Sequence, residues 1–147
     1  MRGLALRVGI VAAVLGGGFL FRNFLPSNAG ELAVGDCFAP PAGVSDTIDD
    51  VQHHPCTDAH LAEVVFVGDY EPATEAYPST EEIQAFAIAR CIPAFNAYTG
   101  LDYDQAQELG LDWYWPTSES WSDGNKKVIC FAGNVDASQL TRSIKAQ

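Results

Sequence analysis

Val51-Gln-His-His-Pro-Cys-Thr-Asp-Ala-His-Leu-Ala-Glu-Val-Val-Phe-Val67 gathers one cysteine, all 3 histidines of the chain and a β-branched apolar run into a single segment. Val51 to His53 reads as a strand, Pro55 breaks it, and Leu61 to Val67 forms the next one before Gly68-Asp69 turns the chain. A connection this short predicts that the two strands pair antiparallel. Cys56 needs a partner, and His60 with Glu63 follows it at the entrance to the second strand.

Downstream, Asp69 to Pro78 is a connection rich in acid and proline. Ser79-Thr-Glu-Glu82 then matches a capping box, with Ser79 as N-cap and Glu82 three residues inside the helix. Ile83, Phe86, Ala87, Cys91, Ala94, Phe95 and Tyr98 recur at helical spacing and form an apolar stripe that carries Cys91 inward. Pro93 predicts a kink and Gly100 a terminator. Asp102 to Leu109 is either a short helix or an irregular excursion. Leu111 to Pro116 has the aromatic density of a strand, Ser118 to Asn125 is a turn-rich connection, and Lys126 to Gly133 returns as a second strand of a hairpin. Ser138 to Gln147 is a last strand or a docking tail.

Upstream, Leu32-Ala-Val-Gly-Asp-Cys-Phe38 reads as a first strand, followed by an acidic loop with a Pro-Pro pair. The 4 cysteines, an even number in a domain of modest core, predict two disulfides in an oxidising compartment. Of the three pairings, the element positions favour Cys37 with Cys56 and Cys91 with Cys130. The second bridge closes a loop of about 40 residues, worth roughly 4 kcal/mol in the chain-entropy model before strain. The fold class expected is therefore α+β: a small antiparallel sheet with one long packed helix and two disulfides, preceded by an N-terminal transmembrane helix.

That helix is read from Arg2 and Arg7, the uncharged run Val8 to Phe21, and Arg22. Leu4 to Leu25 as a helix measures about 33 Å, enough to span a bilayer if the arginines snorkel to the head groups. Ser27-Asn-Ala29 offers the alternative of signal-peptide cleavage after Ala29, giving a secreted domain. The length and the placement of Arg22 favour a retained anchor over residues 1–30, joined to an extracytoplasmic domain over residues 31–147. The arginine bias orients the N-terminus into the cytoplasm. Gly16 to Gly18 provide a face for close helix contact in the membrane, as an accessory subunit of a larger membrane complex requires.

All 19 acidic residues lie beyond residue 30, with only five of the 8 Lys and Arg, so the domain carries a net charge of −14. That balance argues against a nucleic-acid partner, since only Lys126-Lys127 clusters positive charge. Other membrane or envelope proteins are the expected partners, with a basic protein surface as the complementary one.

His53, His54, Cys56, Asp58 and His60 are metal-donor types in close sequence. An oxidised Cys56 cannot ligate as a thiolate, and His53 and His54 project to opposite faces of a strand, so no metal and no other cofactor is expected. His60 and Glu63 read as a structural polar pair, a buried imidazole bonded to a carboxylate that fixes the turn after Cys56. No nucleophile motif accompanies them, no phosphate loop is present, and no catalytic residue is assigned. Trp113 and Trp115 alternate to one face of their strand and Tyr114 to the other. Trp115 and Trp121, beside turn residues, are the candidates for a partner-binding surface.

Gly35-Asp-Cys-Phe38, Val51 with Cys56, His60 with Glu63-Val64, Cys91 with Phe95 and Tyr98-Thr-Gly100, Pro116-Thr with Ser120-Trp121 and Gly124, Cys130, and Leu140-Thr with Ser143 together resemble the septum-formation domain family. The resemblance covers residues 31 to 147. The family occurs mainly in actinobacterial membrane and secreted proteins, so the resemblance implies a place in the cell envelope and a link to cell division, and it brings no catalytic residue. The family's Gly-Asp-Arg before the last strand is Gly124-Asn-Lys126 here, and its Thr-Gly-Ser near the end is Thr141-Arg-Ser143. The function expected is a non-enzymatic, membrane-anchored interaction module of the envelope; the alternatives are an accessory subunit of a larger membrane complex and, last, a metal-binding protein or enzyme using His60 and Glu63.

Overall fold

A computed structural model describes residues 26–40, 50–71 and 75–147. The segment read as a transmembrane helix, residues 4–25, and the acidic loop at 41–49 lie outside the described residues. Among the described residues no helix is long and apolar enough to cross a membrane.

Six strands form one antiparallel sheet: β1 (Pro26–Asn28), β2 (Cys37–Ala39), β3 (Asp50–His54), β4 (Ala62–Asp69), β5 (Leu109–Tyr114) and β6 (Lys127–Asn134), in the order β1-β3-β2-β4-β6-β5. A long helix, α1 (Thr80–Thr99), lies across one face, and a five-residue helix, α2 (Ser118–Ser122), sits in the β5–β6 connection. Among the described residues the architecture is α+β, with one long helix and two disulfides.

The helix begins and ends where the sequence signals it. Ser79 accepts from the Glu82 N–H, and the Glu82 carboxylate accepts from the Ser79 N–H, satisfying two donors that a helix start leaves open. Gly100 closes it at φ 70°, with its N–H on the Asn96 carbonyl. Between these caps the helix runs without interruption through Pro93.

Three expectations are corrected. Leu32 to Asp36 is not strand: the Asp36 N–H bonds back to the Ala33 carbonyl, its carboxylate takes the Ala33 N–H, and Gly35 sits at φ 95°, so the ladder starts only at Cys37. Strands β3 and β4 do not pair with each other; β2 lies between them and pairs with both. The physical reason lies in the connection. The Asp58 N–H folds onto the Pro55 carbonyl and Cys56 is bonded to Cys37, so the chain steps over β2. The connection after Thr117 is helical because the Thr117 hydroxyl caps the Ser120 N–H.

Alternation along the sheet divides the core in two. On the α1 face, Val65, Leu111, Val128, Cys130 and Ala132 meet Ala87, Cys91, Phe95, Tyr103 and Trp121. On the opposite face Phe38, Val51, Ala62, Val64, Ile129 and Phe131 cluster with Ala29 and Leu32. The segment Asp102 to Glu108 is irregular, and the tail after β6 crosses back to His60, where Leu140 and His60 exchange both backbone hydrogen bonds at 3.0 and 2.8 Å. The tail therefore makes one isolated β-bridge and forms no last strand.

Candidate functional site

Three groups of side chains hold the chemistry of this domain: a buried polar cluster at the β2–β4 junction, an aromatic box behind α2, and the polar groups on the far face of β5.

The polar cluster begins with Glu63. On β4 it faces Cys37 of β2 across the ladder and points toward α1, and it is fully buried. A buried carboxylate must be paired or hydrogen-bonded, and here three donors meet it. Tyr98 of α1 and Ser143 of the tail both donate to Oε1, the latter at 2.6 Å, and the Ile144 N–H reaches Oε2 at 2.8 Å. Burial, followed by the hydrogen bond and charge of Glu63, raises the Tyr98 phenol above its ordinary value. The tail is held in turn by the Ala146 N–H on the Tyr98 carbonyl at 2.9 Å.

His60 is also fully buried. Its Nδ1 lies 2.8 Å from the Asp58 carbonyl oxygen, and its Nε2 is buried without a hydrogen-bond partner. The expected pair is thereby corrected: His60 and Glu63 come close, but the carboxylate is committed to Tyr98, Ser143 and Ile144, and the imidazole to Asp58. The ligand atoms of Cys37, His60 and Glu63 lie within 4.8 Å of one another. Of the donor types read in the sequence, His53 faces Asp36 with Nδ1 3.9 Å from its carboxylate. His54 is held below its ordinary value by burial and then by the neighbouring His60, opposed by Asp58. Among the described residues, neither histidine joins a group of three close donor atoms.

Both bridges are in place: Cys37 is bonded to Cys56 and Cys91 to Cys130. The first ties β2 to the turn before β4, beside His60. The second ties α1 to β6 inside the apolar core.

The aromatic box corrects the surface role expected of Trp121. Its ring is buried, at 2% exposure, because α2 turns it inward against Tyr70, Tyr77 and Trp115. Its Nε1–H donates to the Glu75 carbonyl at 3.2 Å, and the Lys126 ammonium sits 3.5 Å from its ring centroid. Trp115 is half-buried, stacked on Trp121 with centroids 5.8 Å apart. These rings fill a core, which sequence density alone does not distinguish from a recognition patch.

On the far face, burial raises both the Asp112 carboxyl, against the pull of the Trp113 N–H, and the Tyr114 phenol, which Asp112 raises further. Tyr114 packs on Phe131 and Phe38, and its hydroxyl is buried without a partner.

The residues that sequence reasoning missed are the donors on Glu63. Tyr98 is visible only as one member of the apolar stripe, and Ser143 only as part of a terminal motif; nothing local ties either to a residue 35 or 80 positions away.

The family model described as "Septum formation" matches residues 28–130, from β1 to the second cysteine of the core bridge. No curated protein and no solved structure gives a match.

Proposed function

The chain belongs to the septum-formation family, and from that premise we propose that it is a non-enzymatic, membrane-anchored interaction module of the cell envelope that acts in septum formation. The observation that carries this reading is the family match, which spans most of the described fold. Two features of the molecule support its finer parts. Glu63 and His60 are fully buried, with the carboxylate taken up by three internal donors, so a substrate has no route to them in this conformation. Pro26–Asn28 forms an edge strand against β3, so cleavage after Ala29 would remove part of the sheet; this favours retention of the N-terminal segment as an anchor. With the anchor in the membrane and Arg2 and Arg7 on the cytoplasmic side, the disulfide-bonded domain stands outside the cell.

The partners are other envelope or membrane proteins. An excess of nineteen acidic over five basic residues beyond residue 30 suits a basic protein surface and repels nucleic acid. Mild-detergent affinity purification of the full-length protein from its native membrane tests this. Division proteins should co-purify, with an association that weakens as salt rises. Stoichiometric recovery with membrane proteins unrelated to division would instead make the chain an accessory subunit of another complex. Recovery of the protein alone would contradict the interaction role. A folded His60→Ala variant that lost turnover of a substrate would overturn the non-enzymatic reading.

A further inference from the structure

The orientation of His60 carries an inference that does not depend on the septal role. A carbonyl oxygen only accepts, so the 2.8 Å contact between Nδ1 and the Asp58 carbonyl places the proton of the neutral imidazole on Nδ1. Nε2 is then left with its lone pair, buried and unpartnered. Metal-ligating histidines are held in this way, the second ring nitrogen donating to a backbone carbonyl. Glu63 shows a matching pattern. Of the roughly four lone-pair sites of a carboxylate, Tyr98 and Ser143 occupy two on Oε1 and Ile144 one on Oε2, which leaves one on Oε2. The third donor is the Cys37 sulfur, in register with Glu63 on the neighbouring strand; this sulfur, one imidazole nitrogen of His60 and one carboxylate oxygen of Glu63 lie within 4.8 Å of one another.

In the oxidised protein the Cys37 sulfur is bonded to Cys56 and is no thiolate. We propose that reduction of the Cys37–Cys56 bridge converts this cluster into a divalent-metal site of the zinc type. Its ligands are the Cys37 thiolate, His60 Nε2 and Glu63 Oε2, with a fourth place for the Cys56 sulfur or a water. Thiolate and carboxylate together balance the charge of the buried ion. Ligands of one tetrahedral zinc lie about 3.5 Å apart, so the three donors have to close by about an ångström. Breaking the bridge frees the 55–59 turn to allow it. Cys56 is half-buried and flanked by exposed Pro55 and Thr57, whereas Cys91 and Cys130 are both buried. A dithiol reductant therefore reaches Cys56 first. The sulfur–sulfur bond breaks, two electrons and two protons pass to the cysteines, and the reductant becomes a disulfide. When the ion binds, the Cys37 thiol releases its proton to solvent and the sulfur ligates as the thiolate. Bridge and metal exclude each other.

The test uses the full-length chain with Cys56→Ser, which frees the Cys37 thiol and keeps Cys91–Cys130 intact. Titration with Co²⁺ under nitrogen should give one bound equivalent with a thiolate-to-cobalt absorption band, displaced by Zn²⁺. The oxidised wild-type protein should take up none. Adding His60→Gln should weaken uptake more than tenfold, the upper part of the range that even outer-shell partners command. Adding Cys37→Ser should abolish the absorption band. Absence of Co²⁺ uptake by a folded Cys56→Ser protein, or uptake indifferent to His60→Gln, overturns the site. Should Cys56→Ser fold only with Zn²⁺ present, by circular dichroism, the site is supported. Should it not fold at all, the reduced wild type decides: Zn²⁺ must protect Cys37 from alkylation, and failure to protect overturns the proposal.

Discussion

Around Cys91–Cys130 the neighbours are apolar, with Phe95 and Ala87 from the helix and Val128 and Ala132 from the sheet, all buried. Around Cys37–Cys56 stand His60, Glu63 and the turn at Pro55 to Ala59, and Cys56 itself is half-buried. The same covalent bond serves two purposes. In the core it holds α1 on a sheet whose packing already favours that position. At the β2–β4 junction it closes a buried polar network in which Glu63 is satisfied by hydrogen bonds, and whose other members come from α1 and the tail. The fold is over-determined around the core bridge and rests on a few hydrogen bonds around the other.

Substitutions in each region test that contrast. On the core side, Trp121→Ala should cost about 4 kcal/mol in denaturant unfolding, because a buried ring stacked on Trp115 leaves a cavity that cannot collapse. A variant of unchanged stability would restore Trp121 as a surface residue and remove the core box from the account. Replacing both Cys91 and Cys130 by alanine opens a loop of 39 residues, and the chain-entropy relation gives about 4 kcal/mol. The same relation gives about 3 kcal/mol for the 19-residue loop of Cys37 and Cys56. A larger loss from the second pair would show that the polar network depends on its bridge more than loop entropy requires.

Within the network, Glu63→Gln should destabilise by about 2 kcal/mol, since the amide accepts at one oxygen only and leaves a donor from Tyr98, Ser143 or Ile144 unmet. Hydrogen exchange should locate the loss in the tail and the end of α1, with the Cys91–Cys130 core unchanged. Equal loss of protection in the core would erase the distinction between the two regions.

The smallest effect concerns Asp112, on the far face. Burial holds its carboxyl above the ordinary value, so the folded state binds the proton more tightly than the unfolded one. Stability contributed by this group is therefore present below the ordinary aspartate range and is lost as pH rises toward the folded value. Asp112→Asn should leave stability unchanged below about pH 3 and increase it at neutral pH, as read from urea midpoints across the pH range. An equal shift at both ends would show that packing, not ionisation, governs the position.

Much of the fold is legible in the sequence because its signals are local. The Ser79 and Glu82 capping box and Gly100 mark both ends of α1, and β-branched runs mark β4 and β6. The order of strands is not legible. The short link between β3 and β4 suggests direct pairing, and only the tertiary placement of β2 denies it. The polar cluster is half legible. Buried His60 and Glu63 stand out by position, but their partners are chosen by where α1 and the tail end in space. Trp115 and Trp121 show the same limit, since exposure is decided by how α2 turns and not by aromatic density.

The reading of this chain as an anchored extracytoplasmic module is tested most directly by intact mass spectrometry of the full-length protein, extracted from its native membrane with free thiols blocked at lysis. An anchored, disulfide-bonded domain gives a single species that retains residues 1–29, carries no thiol block and weighs four hydrogens less than the reduced chain. A species beginning at Gly30 would remove the anchor. Four blocked thiols would remove the disulfides and, with them, the placement of the domain outside the cell.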